Sequence, residues 1–340
     1  MLVTVDKAVE MLLHGEVVAV PTETVYGLAA IATYPTAIAR IFEVKNRPAD
    51  NPLICHFHSA EQVSEYVTHL PANTSRLMSH FSPGPVSFML DLPEDSPLRF
   101  ATCGSMQVIA RIPDHPLFLA IIEKCQAPVA APSANRSGRV SPTSAAMVME
   151  DLGTRISGIV DGGPSKIGLE STIVDARAMD TVTILRPGSI AEKEIQEILP
   201  GVSIVSGNKH SGVITPGTKY RHYAPATPLF VLHRAEEALA FPQSALILTA
   251  EALQQIPRQT LTQFTEKGIH LVTLGSLAEP ESIARNFYRL ISSVDHLKVK
   301  KAFMLNTDFG RSSTGKALQN RISKIASDHH ISDISDDAAP

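Results

Sequence analysis

The chain has no tryptophan, and Phe and Tyr make up only 5% of it. A stacking platform for single-stranded nucleic acid is therefore poorly supplied. Its three cysteines, Cys55, Cys103 and Cys125, are odd in number and far apart. They form neither a disulfide framework nor a zinc motif and predict a reducing compartment. HExxH, GxSxG, paired CxxC and GxGxxG are all absent, which argues against the metalloprotease, nucleophile-elbow and dinucleotide-binding classes. No run of about 18 apolar residues occurs, so no membrane-spanning helix is expected. Asp6, Lys7 and Glu10 interrupt the first apolar stretch as no secretory leader would. With 30 Lys and Arg against 34 Asp and Glu, the chain is not basic throughout. The expectation is a cytoplasmic protein without membrane contact. Its 340 residues favour two domains at ~150 residues each.

The charge is unevenly divided. Residues 1–206 hold 15 Lys and Arg against 22 Asp and Glu, and residues 207–340 hold 15 against 12. Between them runs Ser206–Gly212, polar and glycine-containing, followed by Pro216, Gly217 and Pro225. Such a segment cannot readily continue a helix or an inner strand. The expected organisation is a domain over 1–206, a linker over 207–227 and a second domain over 228–340. In the first domain, strands are predicted at 17–20, 53–57, 86–92, 108–112, 129–131, 158–160, 172–174 and 182–185. Several follow one another without an intervening helix, which predicts a mixed α/β sheet. In the second domain, strands near 228–232, 245–249, 270–274 and 301–305 alternate with helical patterns, as in a small, open, Rossmann-like α/β sheet.

The chemistry-bearing residues gather in loops beside the first domain's strands. Pro21–Leu28 carries Thr22, Glu23 and Thr24 into a glycine turn. Lys45 and Arg47 stand near a helix end, followed by Asn51; they read equally as a phosphate or carboxylate clamp and as cations favoured by the helix dipole. His56, within a short strand, reads more simply as a structural histidine. Arg111 ends a strand beside Pro113, placed either to clamp a carboxylate or to pair with Asp114. Ala131–Arg139 holds Ser133, Asn135, Arg136 and Arg139, with Ser141–Pro142 expected as the N-cap and first residue of a helix. A helix N-terminus flanked by two arginines suits a phosphate. Two further glycine-rich turns span Asp161–Thr172 and Leu185–Gly188. Lys45, Arg47, Arg111, Arg136, Arg139, Lys166 and Arg186 are 7 of this domain's 15 cations and all lie in these loops. An acidic domain that concentrates cations there focuses positive potential on an anionic ligand.

Two rival readings carry other functions. Gly310–Lys316 fits the first seven positions of a P-loop, but position eight is Ala317 where a hydroxyl should meet magnesium. Residues 285–324 hold nine cations against Asp295 and Asp308, a stretch that either touches RNA phosphates or forms a solvated helix face. An RNA-binding module without turnover and a P-loop-like NTPase in the second domain are thus the alternatives.

Taken together and in order, Pro21–Leu28, Lys45–Leu53, Arg111–Pro116, Ala131–Thr143, Asp161–Asp175, Leu185–Gly188 and Tyr220–Pro225 resemble the threonylcarbamoyl-AMP synthase family, also called YrdC-like, in its long two-domain form. The resemblance implies a twisted YrdC-like α/β domain that converts L-threonine, bicarbonate and ATP to threonylcarbamoyl-adenylate and pyrophosphate. A magnesium or manganese ion would accompany ATP, with no metal-ligating side chains assigned. It implies that Thr24, His56, Arg111 and Ser171 contact threonine, and that Arg47, Asn51, Ser133, Asn135, Ser141, Arg186 and Tyr220 contact ATP. Lys45 and Arg47 would be the catalytic cations at the phosphates. The product would pass to a downstream tRNA-modifying threonylcarbamoyl transferase, with tRNA itself a candidate partner. The linker around Tyr220 would act as a lid. Gln107 stands where the family commonly has threonine.

Overall fold

The computed structural model describes residues 1–207 and 223–326. They divide into two compact units. In the first, the strands are β1 (Val18–Val20), β2 (Gly27–Ile31), β3 (Ile54–His56), β4 (Val86–Asp91), β5 (Gln107–Arg111), β6 (Val129–Ala130), β7 (Gly158–Ile159), β8 (Thr172–Asp175), β9 (Thr181–Arg186) and β10 (Ser203–Ser206). They form one mixed sheet in the order β10-β9-β8-β4-β5-β3-β6-β2-β1-β7. The helices are α1 (Val5–Leu13), α2 (Pro35–Lys45), α3 (Ala60–Tyr66), α4 (Ala72–Phe81), α5 (Pro116–Cys125), α6 (Ala145–Leu152) and α7 (Glu192–Ile198). Thr4 caps α1 by accepting from the Lys7 N–H at 3.3 Å, and Pro35 and Pro116 open α2 and α5 at positions where a missing N–H costs nothing.

Strand alternation decides which face carries what. One face sends Ala19, Leu28, Cys55, Phe88, Ala110, Val174 and Ile184 into a core with Ile38, Ile41, Val63, Leu77, Met78, Val148 and Ile195 from the helices. At the β1–β2 end of the other face, Val18, Val20, Ala29 and Ile31 are covered by Leu12 of α1 and by Phe118, Ile121 and Ile122 of α5. Further along, that face carries only Ile54, Met89, Ile109, Ile173 and Leu185, a cluster to which no helix contributes. Such a sparse apolar cluster leaves room on this face for polar residues.

The second unit contains β11 (Leu229–Leu232), β12 (Ala245–Leu248), β13 (His270–Thr273) and β14 (Ala302–Leu305), all parallel in the order β11-β14-β12-β13. Its helices are α8 (Ala250–Gln255), α9 (Arg258–Glu266), α10 (Pro280–Ser293) and α11 (Ser313–Ala326). Phe303, fully buried at the centre of the sheet, lies 5.8 Å from the Phe230 ring and 4.7 Å from the Phe241 ring. Phe303→Ala is expected to destabilise this unit by about 3–5 kcal/mol. Urea unfolding followed by circular dichroism checks this, and a loss under about 1 kcal/mol would contradict it.

Four elements depart from the sequence reading. β2, with the sequence GLAAI, and β10 were not expected, and neither was α9. The helix expected from Ser141–Pro142 instead begins at Ala145, because Ser144 is its cap and accepts from the Met147 N–H at 3.3 Å. Gly138–Val140, expected within the first domain, groups with the second unit. There Arg139 pairs with Asp295 at 3.0 Å, while Asp295 also accepts from the Ala226 and Thr227 N–H groups. The greater part of the expected linker, including Tyr220, lies outside the described residues.

Candidate functional site

Five adjacent strands place five polar side chains along this face. His56 ends β3 directly beside Arg111 at the end of β5. One step beyond the Phe88↔Ala110 pair, Ser87 of β4 lies next to Arg111. Ser87 shares a 2.8 Å hydrogen bond with Ser171, which enters β8. Arg186, ending β9, donates through Nε and Nη2 to the Ser171 carbonyl at 3.1 and 3.0 Å and through Nη2 to Ser171 Oγ at 3.0 Å. Gly188 makes the turn after Arg186 possible, since a Cβ there would lie 2.4 Å from the Thr172 nitrogen.

Arg111 is held on several sides. Its Nε donates to the Gly84 carbonyl at 3.2 Å, Nη1 donates to Thr24 Oγ1 at 3.0 Å, and Nη2 lies 2.6 Å from Glu23 Oε1. Thr24 is itself fixed by a 2.8 Å bond to Thr22. Burial, and secondarily the Arg111 guanidinium, hold the His56 pKa well below the ordinary imidazole value. The His56 ring packs 5.2 Å from Phe118.

A second group surrounds the end of α2. Lys45 is buried, and its Nζ donates to the carbonyls of Ser133 and Asn135 at 2.5 Å each. Desolvation, then the nearby Arg47 guanidinium, lower its pKa well below that of a free lysine. Arg47 donates to the carbonyls of Asn51 and Pro52 at 3.0 and 2.9 Å. Asn51 is buried with Oδ1 lacking a hydrogen-bond donor among the described residues. Lys45 and Arg47 thus shape loops through backbone carbonyls, an arrangement the spacing of the two residues did not reveal.

Backbone bonds lace the two groups together. Leu28 N–H donates to Pro132, Ala134 N–H to Tyr26 and Tyr26 N–H to Pro142, all within 2.9 Å. Ile167 N–H donates to the Glu23 carbonyl at 2.8 Å, and Gly168 N–H to Thr24 at 3.1 Å. Ser141, rather than capping a helix, donates through Oγ to the buried Glu170 carboxylate at 2.7 Å. Tyr26 donates to the Gly163 carbonyl at 2.7 Å, and its phenol is pushed up to about 12 chiefly by burial. Glu23, Tyr26, Ser87 and Glu170 therefore belong to the site; sequence reasoning had singled out only the Glu23 carboxylate, as part of a ligand-binding turn, and gave it no particular contact. Glu23 and Tyr26 stood within the glycine-turn segment; nothing in the sequence marked Ser87.

Of the seven loop cations, Lys45, Arg47, Arg111 and Arg186 lie in the site, Lys166 is exposed, and two others stand apart. Arg136 is exposed and paired with Asp151 at 2.7 Å, and Arg139 belongs to the second unit. The P-loop-like segment is an ordinary helix start: Ser312 accepts the Gly315 N–H through Oγ at 3.0 Å and the Lys316 N–H through its carbonyl at 2.9 Å. Those N–H groups are the ones a phosphate loop would offer its ligand. Among the described residues no helix is long and apolar enough to cross a membrane, and no three His, Cys, Asp or Glu side chains gather to hold a metal ion.

Comparison with known proteins agrees with this architecture. Residues 10–188 match a Sua5/YciO/YrdC family described as telomere recombination, and residues 190–327 match the C-terminal domain of threonylcarbamoyl-AMP synthase. The threonylcarbamoyl-AMP synthase of Bacillus subtilis is 37% identical over 95% of this chain and 92% of its own length. That of Pyrococcus abyssi is 36% identical over 92% and 91%, respectively. The crystal structure of P. abyssi Sua5 complexed with L-threonine superposes with a TM-score of 0.82 at 34% identity, covering 95% of this chain and 94% of that one. The sequence, the two-unit fold and these relatives lead to one conclusion: the chain belongs to the threonylcarbamoyl-AMP synthase family, in its two-domain form.

Proposed function

We propose that this chain makes threonylcarbamoyl-AMP and pyrophosphate from L-threonine, bicarbonate and ATP. The observation that carries this reading is the line His56–Arg111–Ser87–Ser171–Arg186 on one sheet face, laced through loops to Lys45 and Ser133. Thr24, His56, Arg111 and Ser171 bind threonine. Arg47, Asn51, Ser133, Asn135, Ser141 and Arg186 bind ATP, joined by Tyr220 from the linker. Residues 1–206 form the catalytic domain, 207–227 the linker and 228–340 the second α/β domain.

The chemistry asks for positioning more than for a nucleophilic side chain. Threonine's amine and carbon dioxide give a carbamate, whose oxygen attacks the α-phosphorus of ATP in line while pyrophosphate leaves. Arg111 orients the amino acid, and Arg186 offers a planar fork to the nucleotide. Lys45 and Arg47 hold the Asn51 and Ser133–Asn135 backbones in register and bring positive charge to the phosphate end. Magnesium or manganese bound with ATP would neutralise phosphate charge there. Glu170, which accepts from Ser141 Oγ at 2.7 Å, is a buried carboxylate that would add negative charge and an acceptor on this side of the site. The reading puts the protein in the cytoplasm, handing its product to a tRNA-modifying threonylcarbamoyl transferase.

Pyrophosphate release from the full chain tests the proposal. It is expected only when ATP, L-threonine and bicarbonate are all present. Release independent of threonine would overturn it, and release lost on Lys316→Ala would move the activity to the second domain.

A further inference from the structure

Among the described residues, the acidic side chains that are fully buried are Glu23 and Glu170. Glu170 accepts a hydrogen bond from Ser141. Glu23 is different. Its Oε1 lies 2.6 Å from Arg111 Nη2, but neither of its oxygens accepts a well-directed hydrogen bond from the described residues. The side chain is 3% exposed, so water does not readily supply the missing donors. A buried carboxylate with an unanswered oxygen is costly unless a donor arrives with the ligand.

The backbone holds Glu23 firmly where it is. Its carbonyl accepts from Ile167 N–H at 2.8 Å, and the next residue, Thr24, bonds both Thr22 and Arg111. The cationic group facing the carboxylate is Arg111; at longer range stands the half-buried imidazole of His115, whose pKa burial lowers. Arg111 has five N–H groups. Nε and Nη1 each give one to Gly84 and Thr24, so others remain for an incoming carboxylate. A cation and an anion fixed side by side in a buried site match the two poles of a free amino acid.

We propose that Glu23 binds the α-ammonium group of the amino-acid substrate while Arg111 takes its carboxylate, so that the buried pair recognises a zwitterion. This rests on the reading of Arg111 as a threonine-binding residue. It assigns Glu23 a specificity role: amino acids with a free α-amino group are admitted, and the corresponding hydroxy acids are rejected.

Calorimetric titration of the full chain with L-threonine, and with 2,3-dihydroxybutanoate as the analogue lacking the amine, tests the assignment. In Glu23→Gln, threonine affinity is expected to fall about thirtyfold, as for loss of a charged hydrogen bond worth ~2 kcal/mol. The analogue should bind parent and variant equally weakly, and ATP affinity should stay within about twofold. Equal losses for threonine and analogue would overturn the proposal, because Glu23 would then act only by orienting Arg111. Unchanged threonine affinity would also overturn it. Arg111→Lys, run alongside, separates the layers. Threonine binding retained there overturns the reading of Arg111 and this inference together. Loss there with retention in Glu23→Gln overturns the inference alone.

Discussion

Lys45→Met is expected to lower pyrophosphate release by about a hundredfold or more, the scale on which misplacing substrate by ~1 Å acts. The lysine ammonium answers two carbonyls, Ser133 and Asn135, from a position that is 1% exposed. Methionine fills a similar volume but donates nothing. Two acceptors then lose their partner, each at a cost of about 1–3 kcal/mol if it stays buried. The loop can relieve that cost only by turning its carbonyls outward, which carries Ser133 and Asn135 away from the nucleotide. The expected signature is a raised KM for ATP, a lowered kcat and a melting temperature reduced by several degrees, with the fold retained by circular dichroism. Turnover within about threefold of the parent would show that the loop holds its shape without the lysine, and the role given to Lys45 would fall.

Arg186→Lys is expected to have an effect of comparable size, about a hundredfold in kcat/KM for ATP, because a lysine keeps the charge but not the planar fork. Arg186 grips the Ser171 carbonyl and hydroxyl together, and Ser171 in turn bonds Ser87. Removing the fork therefore disturbs the neighbouring threonine side as well. A double-mutant cycle with Ser171→Ala should show a coupling of about 0.5–3 kcal/mol, as expected for residues in one network. Additive losses would mean that the two act independently.

The sequence made the loops legible because their residue types are unusual for turns that do nothing else. Cap chemistry accounts for Ser144 but not for Ser133 and Asn135, and dipole preference accounts for Lys45 but not for Asn51. Most strands were legible too, since valine- and isoleucine-rich runs such as Val108–Ile112 have few other options. β2 escaped because Gly-Leu-Ala-Ala-Ile carries one β-branched residue and two alanines, which favour helix when isolated. It is a strand because β1 and β6 flank it and Gly27 approaches Ala131 so closely that a Cβ would lie 3.0 Å away. The P-loop resemblance was misleading for a local reason, the capping by Ser312, which spacing alone does not disclose.

By itself the sequence determined the two α/β regions, the segments that carry the chemistry and the family resemblance, because composition, turn residues and ordered motifs are properties of the chain read locally. Only the tertiary structure decided that Lys45 spends its ammonium on two carbonyls, that Ser141 serves Glu170 instead of a helix, and that Glu23 stands against Arg111. Those outcomes depend on which strands become neighbours. β3 and β5 are separated by some fifty residues in the chain yet lie side by side in the sheet, and a contact made across that distance leaves no trace in local spacing.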